Sequence, residues 1–355
     1  MTPAQPSQPE DCTSFEDVLK SYDYALPSSC IATAPVSPRD RAKLLVYNRK
    51  THTITDDVFS ALGKHLPPYS VLVLNETKVI PARFRVTVRH RRNIPLLFLG
   101  IREGYIRVLA PRTIARGTKL LWEQGHSLHV HSREGREALL APSFTATDMV
   151  QLLERFGETP LPPYMKESPL HEAERRIEYQ TVFAQTPGSV AAPTAGLHFT
   201  PALMHALERA GHTFAKVLLH VNLGTFAPLE EHQWRAKKLH SEWFSIPEET
   251  LSFLTTAKQA GRSIVAVGTT VVRTLESAQE SGVLERQSGD TDLFITESSP
   301  VRFVDHLITN FHVPRSSLMM LTSAFTGRKK LLELYEHAKQ EHYRFFSFGD
   351  AMLVL

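Results

Sequence analysis

The sequence has 355 residues, of which 42% are hydrophobic and 22% are charged, and its formal net charge is +3. This composition is typical of a soluble globular protein, and the length predicts two domains. The two cysteines, Cys12 and Cys30, exclude a disulfide framework and a four-cysteine zinc site. No apolar run approaches the ~20 residues of a membrane span, and no segment near Met1 resembles a secretory signal. We therefore expect a cytoplasmic protein without a membrane partner.

The first half of the chain contains three segments of different character. Residues 1–15 are rich in Pro, Gln and Ser and predict a disordered tail. The apolar run at residues 71–74 ends at Asn75, which predicts a buried strand that leads into a functional turn. Residues 82–147 carry short alternating runs broken by Gly and Pro, which predict an antiparallel, barrel-like β domain or a small sandwich.

From about residue 148 the helical period returns, and strand-turn-helix units then repeat to the end of the chain. Alternation of strands and helices indicates an α/β domain with helices packed on a sheet. The predicted fold is therefore a discontinuous α/β domain, residues 16–81 and 148–355, with an all-β domain inserted at residues 82–147.

Alternating arginines open the inserted segment, in the stretch ARFRVTVRHRR. Arg83, Arg85, Arg89 and Arg91 share one face if this stretch is a single strand, because successive side chains point to opposite faces. Such a row offers donors to the phosphates of RNA. A solvated face on a small β domain explains the same pattern, and the residues alone do not decide between the two.

A strand-turn-helix at residues 265–273 contains the sequence GTT followed by an arginine one turn later. Thr269 and Thr270 lie at a predicted helix N-terminus, which suits an anion, and Arg273 is suited to a carboxylate or phosphate. A plain N-cap threonine is the alternative. No G-x-G-x-x-G follows a predicted strand and no Walker motif occurs, so nucleotide binding of those kinds has no support.

Several histidines lie at predicted junctions between strands and turns. His240 and Glu242 are two residues apart, which suits proton abstraction if both face a ligand, although two surface residues explain the spacing equally well. His220 precedes a Gly-Thr turn, and His312 follows Asn310 in the same kind of position. Together they point to the ligand crevice of an α/β sheet. No H-E-x-x-H or G-x-S-x-G occurs, so no metal and no serine nucleophile is predicted.

The loop SVAAPTAGLHFT has one ionisable side chain, His198. Its small residues permit close approach of backbone to a ligand, Pro193 stiffens the turn, and Thr194 adds a polar group. We interpret this loop as one wall of a ligand site.

These motifs, in this order, closely resemble the S-adenosylmethionine:tRNA ribosyltransferase-isomerases of queuosine biosynthesis. The resemblance covers nearly all of the chain after the tail. The stretches that carry it are YDYALPSSCIATAPVSPRDRAKLLV, LNETKVIPARF, LPPYM, EYQTVFA, PGSVAAPTAGLHFT, LHVNLGTFAP, LHSEWFSIP, VAVGTTVVRTLES, DLFI, VDHLITNFHVPRSSLMMLTSAF and YRFFSFGDAML.

The resemblance implies a reaction in which S-adenosylmethionine donates its ribosyl part and not its methyl group. The acceptor is 7-aminomethyl-7-deazaguanine at the wobble position of tRNA, and the product is epoxyqueuosine-tRNA, with adenine and methionine released. The implied partners are tRNA and S-adenosylmethionine, which serves as co-substrate with no further cofactor. A monomer is expected.

The resemblance also suggests roles for particular residues. A base removes a proton from the ribose C5′ beside the sulfonium, and the candidates are His198, His240 and Glu242. His220 or His312 supplies a proton or hydrogen bond to departing adenine. The predicted contacts to S-adenosylmethionine or deazaguanine come from Arg39, Asp40, Asn75, Thr77, Pro193, Thr194, Gly224, Thr225, Thr269, Thr270, Arg273 and Asn310.

The sequence departs from the family pattern at several places. Glu76, Asn222 and Val271 replace commoner residues without loss of the chemical groups. Lys237 and Lys238, the stretch ESSPVRFVD and the stretch HRRNIPLLFLG put the details of tRNA docking in doubt. Two alternatives to the family reaction stay open. One is a tRNA-binding member of the family with weak or lost catalysis. The other is an ordinary S-adenosylmethionine methyltransferase, although the Gly-rich turn expected of that class is absent.

Overall fold

A nine-stranded mixed sheet forms the larger part of the computed structural model, which describes residues 14–89, 91–165, 167–221 and 228–355. The strands of this sheet are β1 Lys43–Asn48, β2 Thr53–Val58, β3 Val71–Asn75, β12 Thr213–Leu219, β13 Lys238–Ser245, β14 Ile264–Val267, β17 Ser288–Leu293, β18 His306–Asn310 and β19 Ala351–Val354. Their order in the sheet is β17-β13-β12-β3-β14-β18-β19-β1-β2. The four central strands, β12, β3, β14 and β18, run parallel, and antiparallel strands flank them.

The second sheet is a closed antiparallel barrel, whose strands are β5 Arg83–Val88, β6 Arg91–Arg102, β7 Tyr105–Leu109, β8 Lys119–Leu121, β9 Ser127–Glu134 and β10 Glu137–Pro142. Their order around the barrel is β10-β7-β6-β5-β8-β9. Two small pairs complete the strands: β4 Thr77–Val79 with β11 Thr186–Ser189, and β15 Gln279–Glu280 with β16 Val283–Leu284. The α/β architecture with an inserted barrel is as the sequence predicted.

The helices cover the sheet and connect its strands. They are α1 Phe15–Ser21, α2 Met149–Phe156, α3 Glu172–Glu178, α4 Pro201–Arg209, α5 Glu231–Ala236, α6 Glu248–Gln259, α7 Thr269–Ala278, α8 Ser317–Thr326 and α9 Arg328–Gln340. Helix α4 begins where Thr200 caps the backbone N–H of Leu203 at 3.1 Å, with Pro201 in its first turn. Among the described residues, none of the helices is long and apolar enough to cross a membrane.

The apolar pattern explains why the central strands are buried. All five residues of β3 are buried, as expected for a parallel strand covered on both faces. The barrel encloses its own core, which includes Phe84, Val108 and Leu140. Met149 and Leu153 of α2 pack against that core, so the helix that follows the barrel also closes it.

The structure corrects one strand prediction. The arginine stretch is not a single strand, because β5 ends at Val88 and Arg89 turns the chain with φ of 52°. Strand β6 then begins at Arg91, so Arg83 and Arg91 lie on different strands. Of the predicted tail, residues 1–13 lie outside the described residues, and α1 begins at Phe15. The limits 82 and 147 for the inserted domain stay a prediction.

Candidate active site

A cleft opens at the carboxyl ends of the central parallel strands, where open α/β sheets usually bind ligands. It holds about 590 Å³ of empty space, and we call it the main cleft. Its walls come from residues that follow β12, β14 and β18 and from the loop that contains Pro193. The lining residues are Tyr164, Ala192, Pro193, Thr194, Ala195, Val221, Gly268, Thr269, Thr270, Thr309, Asn310, Phe311, His312, Val313, Leu318, Phe346 and Ser347.

The turn after β14 brings a helix N-terminus to the main cleft. Gly268 has φ of 99°, which favours glycine, and α7 begins with the next residue. Thr269 and Thr270 are largely buried and line the cleft. The positive end of the α7 dipole therefore lies at the cleft and suits an anionic group.

Asn75, at the end of β3, connects three elements beside the main cleft. Its Oδ1 accepts hydrogen bonds from the N–H of Leu219 at 3.1 Å and of Thr77 at 3.2 Å. Its Nδ2 donates to the Leu219 carbonyl at 2.9 Å and to the Thr270 hydroxyl at 3.3 Å. These four bonds use the whole capacity of the amide, so Asn75 positions Thr270.

Asn310 links the main cleft to His198 behind it. Asn310 accepts a hydrogen bond from the Thr194 hydroxyl at 2.8 Å and donates to the Phe346 carbonyl at 3.2 Å. Its Nδ2 also lies 3.3 Å from Nε2 of His198. His198 is buried beside the Phe59 ring, and burial, with Arg344 and Arg39 nearby, lowers its pKa to about 3. A buried neutral imidazole holds Asn310 in place and is a weak base.

His312 lies in the wall of the main cleft itself. Its Nε2 is 2.8 Å from the Thr309 hydroxyl, and its backbone N–H donates to the Tyr335 hydroxyl at 2.9 Å. Burial lowers its pKa to about 3, so the imidazole is neutral at physiological pH. It therefore acts there through hydrogen bonds and not as a cation.

His220 follows β12, and the Thr77 hydroxyl is 2.9 Å from its Nδ1. Its ring stacks on Trp243 with centroids 6.1 Å apart, and burial lowers its pKa. A Cβ on Gly188 would come within 2.7 Å of this ring, so glycine there makes room for the histidine. The two predicted residues that follow nearby, Gly224 and Thr225, lie outside the described residues.

Glu242 and Arg273 form a buried ion pair in a second cavity of about 500 Å³. Arg273 also donates to the carbonyls of Leu293 at 3.3 Å and Thr291 at 3.2 Å. His240 is exposed and lines the same cavity, so His240 and Glu242 face one cavity, as their spacing on the predicted strand suggested. Leu318 lines both this second cavity and the main cleft, which makes them neighbours. Arg273 therefore pairs with Glu242 in the second cavity, whereas Thr269 lines the main cleft.

Arg39 and Asp40 form hydrogen bonds with the chain segments on either side of the loop that contains His198. Arg39 donates to the carbonyls of Gln180 at 2.6 Å and Ile177 at 2.9 Å, and pairs with Glu178 at 3.0 Å. Asp40 accepts from the Thr200 hydroxyl at 2.8 Å. Neither residue is among those that line the main cleft, and their predicted contact with a ligand stays a prediction.

Comparison with known proteins identifies the family. A family model described as queuosine biosynthesis protein matches residues 19–354. The S-adenosylmethionine:tRNA ribosyltransferase-isomerase of Carboxydothermus hydrogenoformans is 44% identical over 95% of this chain and 99% of its own length. The protein of that name from Rubrobacter xylanophilus is 47% identical over 94% of this chain and 96% of its own length. The chain belongs to this family.

A solved structure is also similar to the chain. It is the crystal structure of an S-adenosylmethionine tRNA ribosyltransferase from Thermotoga maritima, with 34% sequence identity and a TM-score of 0.55. The match covers 94% of this chain and all of that one. The similarity to a solved structure therefore extends over nearly the whole chain.

Sequence reasoning assigned no role to several residues of the main cleft that lie within family motifs, among them Tyr164, Phe346 and Ser347. The Tyr164 hydroxyl is 2.6 Å from the Ser347 hydroxyl, and burial raises the pKa of Tyr164 to about 12. Phe346 has φ of 73°, an uncommon conformation for a bulky residue, and its ring packs against Tyr164 with centroids 4.7 Å apart. The sequence signal for these residues was their position in the family motifs LPPYM and YRFFSFGDAML. The residue types and the spacing in these two motifs do not by themselves indicate a chemical role.

The arginines predicted to bind RNA are partly engaged within the protein. Arg83 donates to the Leu161 carbonyl at 3.0 Å, and burial lowers its pKa. Arg85 pairs with Glu158 at 2.8 Å. Arg89 and Arg91 are exposed at the turn between β5 and β6. Among the described residues, no group of three or more His, Cys, Asp or Glu side chains is arranged to hold a metal ion.

Proposed function

We propose that this chain transfers and isomerises the ribosyl part of S-adenosylmethionine onto 7-aminomethyl-7-deazaguanine at the wobble position of tRNA. Adenine and methionine are released, and epoxyqueuosine-tRNA is the product. The observation that carries the proposal is family membership over nearly the whole chain, with 44% and 47% identity to relatives named for this activity. The proposal includes a monomer acting on cytoplasmic tRNA.

The main cleft suits the donor nucleoside. Its wall combines the α7 N-terminus with hydroxyl and amide groups and with the apolar surface of Phe311 and Phe346. The α7 N-terminus is proposed to bind the methionine carboxylate, because backbone N–H groups and the helix dipole favour an anion. Neutral His312 is proposed to hydrogen-bond the departing adenine.

The geometry favours His240 over His198 as the base that removes the C5′ proton. His240 lines an open cavity next to the main cleft, whereas His198 is buried with a pKa of about 3. Glu242 is proposed to position Arg273 in the same cavity, since the two form an ion pair. An exposed imidazole that lines the cavity is suited to proton abstraction.

The decisive experiment incubates the purified protein with S-adenosylmethionine and tRNA that carries the deazaguanine. Free adenine and methionine are expected, and S-adenosylhomocysteine is not. Formation of S-adenosylhomocysteine indicates a methyltransferase, and release of neither product indicates a tRNA-binding protein. Either result contradicts the proposal.

The assignment of the base is tested by the rate of adenine release in variants. His240→Ala is expected to lower kcat by about 10²- to 10⁴-fold. His205→Ala, at an exposed position of α4, is the matched control and should keep the wild-type rate. Near-wild-type turnover of His240→Ala contradicts the assignment.

A further inference from the structure

A third cavity lies where the chain passes from the nine-stranded sheet into the barrel, and we call it the junction cavity. It holds about 500 Å³ of empty space between residues 78–81, α2 and α3. None of the described residues that line it lines the main cleft or the second cavity. It is therefore a separate space with its own chemistry.

Three cationic side chains line the junction cavity, and they differ in how fully they are engaged. Arg176 is occupied, because it pairs with Glu172 at 3.1 Å and donates to the carbonyls of Glu154 and Gly157, both at 2.7 Å. Within the described residues, the side chain of Arg175 makes one hydrogen bond, a long one of 3.4 Å to the Ser168 carbonyl. Lys78 is exposed and has no ion pair in the part of the chain that the structure describes.

Arg175 carries the strongest indication of a ligand. Its Nε atom is buried and has no hydrogen-bond partner among the described residues. Buried donors in folded proteins nearly always have a partner, and an unpaired one on a cationic group is especially unfavourable. An acceptor that enters the cavity would satisfy this donor together with the Lys78 ammonium.

The charges around the cavity favour an anion. Arg83 is close enough to Arg175 to interact with it electrostatically. The carboxylates nearby are Glu154, Glu158 and Glu172, of which Glu158 pairs with Arg85 and Glu172 with Arg176. Of the three cations that line the cavity, Lys78 and Arg175 thus keep free hydrogen-bonding capacity within the described part of the chain.

The charge of the whole chain shows from which side a polyanion approaches. Residues 82–147 contain twelve Lys and Arg but only four Asp and Glu, a formal net charge of +8. Since the whole chain has +3, the remainder has −5. A polyanion is therefore attracted to the barrel and repelled by the remainder, and the junction cavity lies at the boundary.

The junction cavity also adjoins the main cleft. Tyr179 lines the junction cavity, and its hydroxyl lies beside Ser347 and the backbone of Ala192, both in the wall of the main cleft. A phosphate held at Arg175 would thus lie close to a nucleotide whose base enters the main cleft.

We propose that the junction cavity binds a backbone phosphate of the tRNA substrate through Arg175 and Lys78 and so positions the wobble nucleotide. This inference rests on the proposed function, because it takes tRNA as the polyanion. It differs from the arginine row of the barrel, where Arg83 and Arg85 are engaged within the protein.

The test compares the Kd of the full-length protein for tRNA carrying the deazaguanine at several salt concentrations. The variants are Arg175→Ala, Arg175→Lys and Lys78→Ala, and Arg209→Ala, exposed on α4, is the control for loss of one charge. Arg175→Ala is expected to raise Kd about tenfold and to reduce the slope of log K against log salt by about one. Lys78→Ala should raise Kd several-fold, Arg175→Lys should recover part of the affinity, and Arg209→Ala should stay within twofold. The KM for S-adenosylmethionine should not change.

Kd values within twofold of wild type for both Arg175→Ala and Lys78→Ala overturn the inference. Lys78 is exposed, so its replacement tests the site even if Arg175→Ala folds poorly, which thermal unfolding followed by circular dichroism detects. If a variant loses affinity for tRNA and for S-adenosylmethionine to the same extent, the replaced residue has a structural role. That result also overturns the inference. Binding is measured without turnover, so failure of the wild-type protein to release adenine contradicts the proposed function alone.

Discussion

At the scale of single residues, the environment of each histidine decides its chemistry. His198 and His312 are buried, and both have a pKa of about 3 because burial disfavours the charged form. His240 lies two residues from a buried glutamate on the same strand yet is exposed. Residue type alone groups these histidines, whereas burial keeps His198 and His312 neutral and leaves His240 exposed at the second cavity.

The buried histidines make stability depend on pH. The unfolded chain binds a proton at each of them near pH 6.5, whereas the folded protein does so only near pH 3. Stability is therefore complete above pH 6.5 and is lost as the pH falls, by about 1.4 kcal/mol per pH unit for each histidine. Urea unfolding at pH 6 and pH 5 should show a decline about 1 kcal/mol smaller in His198→Gln than in wild type. Equal declines would mean that His198 titrates normally in the folded protein.

The ion pair of Glu242 and Arg273 is expected to matter for folding. Glu242→Ala leaves a buried guanidinium without its carboxylate, which costs about 3–5 kcal/mol of unfolding free energy. The double variant with Arg273→Met should lose less than the sum of the single losses. Glu137→Ala removes the exposed partner of Arg107 and should cost below about 1 kcal/mol. Additive losses at Glu242 and Arg273, measured by urea unfolding, would show that the two groups are not coupled.

At the scale of elements, the main cleft exists because four parallel strands end at one edge of the sheet. Polar residues at these ends bond to neighbouring strands before any ligand is present. Asn75 joins β3 to β12 and to the first turn of α7, and Asn310 joins β18 to the loops of Thr194 and Phe346. Hydrogen bonds from the side chains at the strand ends thus fix the positions of the cleft walls relative to one another.

Replacement of Asn75 tests this arrangement. Asn75→Ala leaves the N–H and carbonyl of Leu219 and the N–H of Thr77 without these partners, so a loss of about 3 kcal/mol or more is expected. The KM for S-adenosylmethionine should rise as well, since Thr270 loses its support. Asn48→Ala is the control, because Asn48 accepts its hydrogen bonds from Lys50 and Thr51 in an exposed turn. Equal destabilisation by the two variants, measured by urea unfolding, would argue against a special role of Asn75.

At the scale of the whole molecule, charge is divided between the two parts of the chain. The barrel segment carries +8 and the remainder −5, although the total of +3 is unremarkable. Each part has its own apolar core, and Met149 and Leu153 of α2, the helix that follows the barrel, belong to the core of the barrel. The molecule thus joins a barrel of net positive charge to a part of net negative charge, and we expect this difference to orient an approaching polyanion.

Charge reversal on the barrel is expected to weaken tRNA binding much more than charge reversal elsewhere. Arg112→Glu with Arg116→Glu changes two exposed barrel positions, and Arg209→Glu with Lys329→Glu changes two exposed positions of the α/β part. The barrel pair should raise the KM for tRNA about tenfold or more at 50 mM salt, with a smaller effect at 200 mM. The other pair should change it less than threefold. Similar effects of both pairs would show that the division of charge does not direct binding.

Much of the fold was predictable because local patterns reflect local physics. The apolar run of β3, the strand-turn-helix at Gly268 and the helix that begins after Thr200 all appear as predicted. The arginine stretch failed because its alternation continues through the hairpin turn at Arg89, and alternation alone does not reveal where a strand reverses. The predicted cleft at the strand ends also exists, because parallel strands place their carboxyl ends together.

By itself the sequence determined the family, the order of strands and helices and the set of polar residues at the strand ends. Only the tertiary structure decided which of them face a ligand. It buried His198, paired Arg273 with Glu242, and left the Nε of Arg175 without a hydrogen-bond partner in the described part of the chain, beside the start of the barrel. The physical reason is that burial and pairing depend on contacts between residues far apart in the chain, whereas a motif records only what is near in sequence.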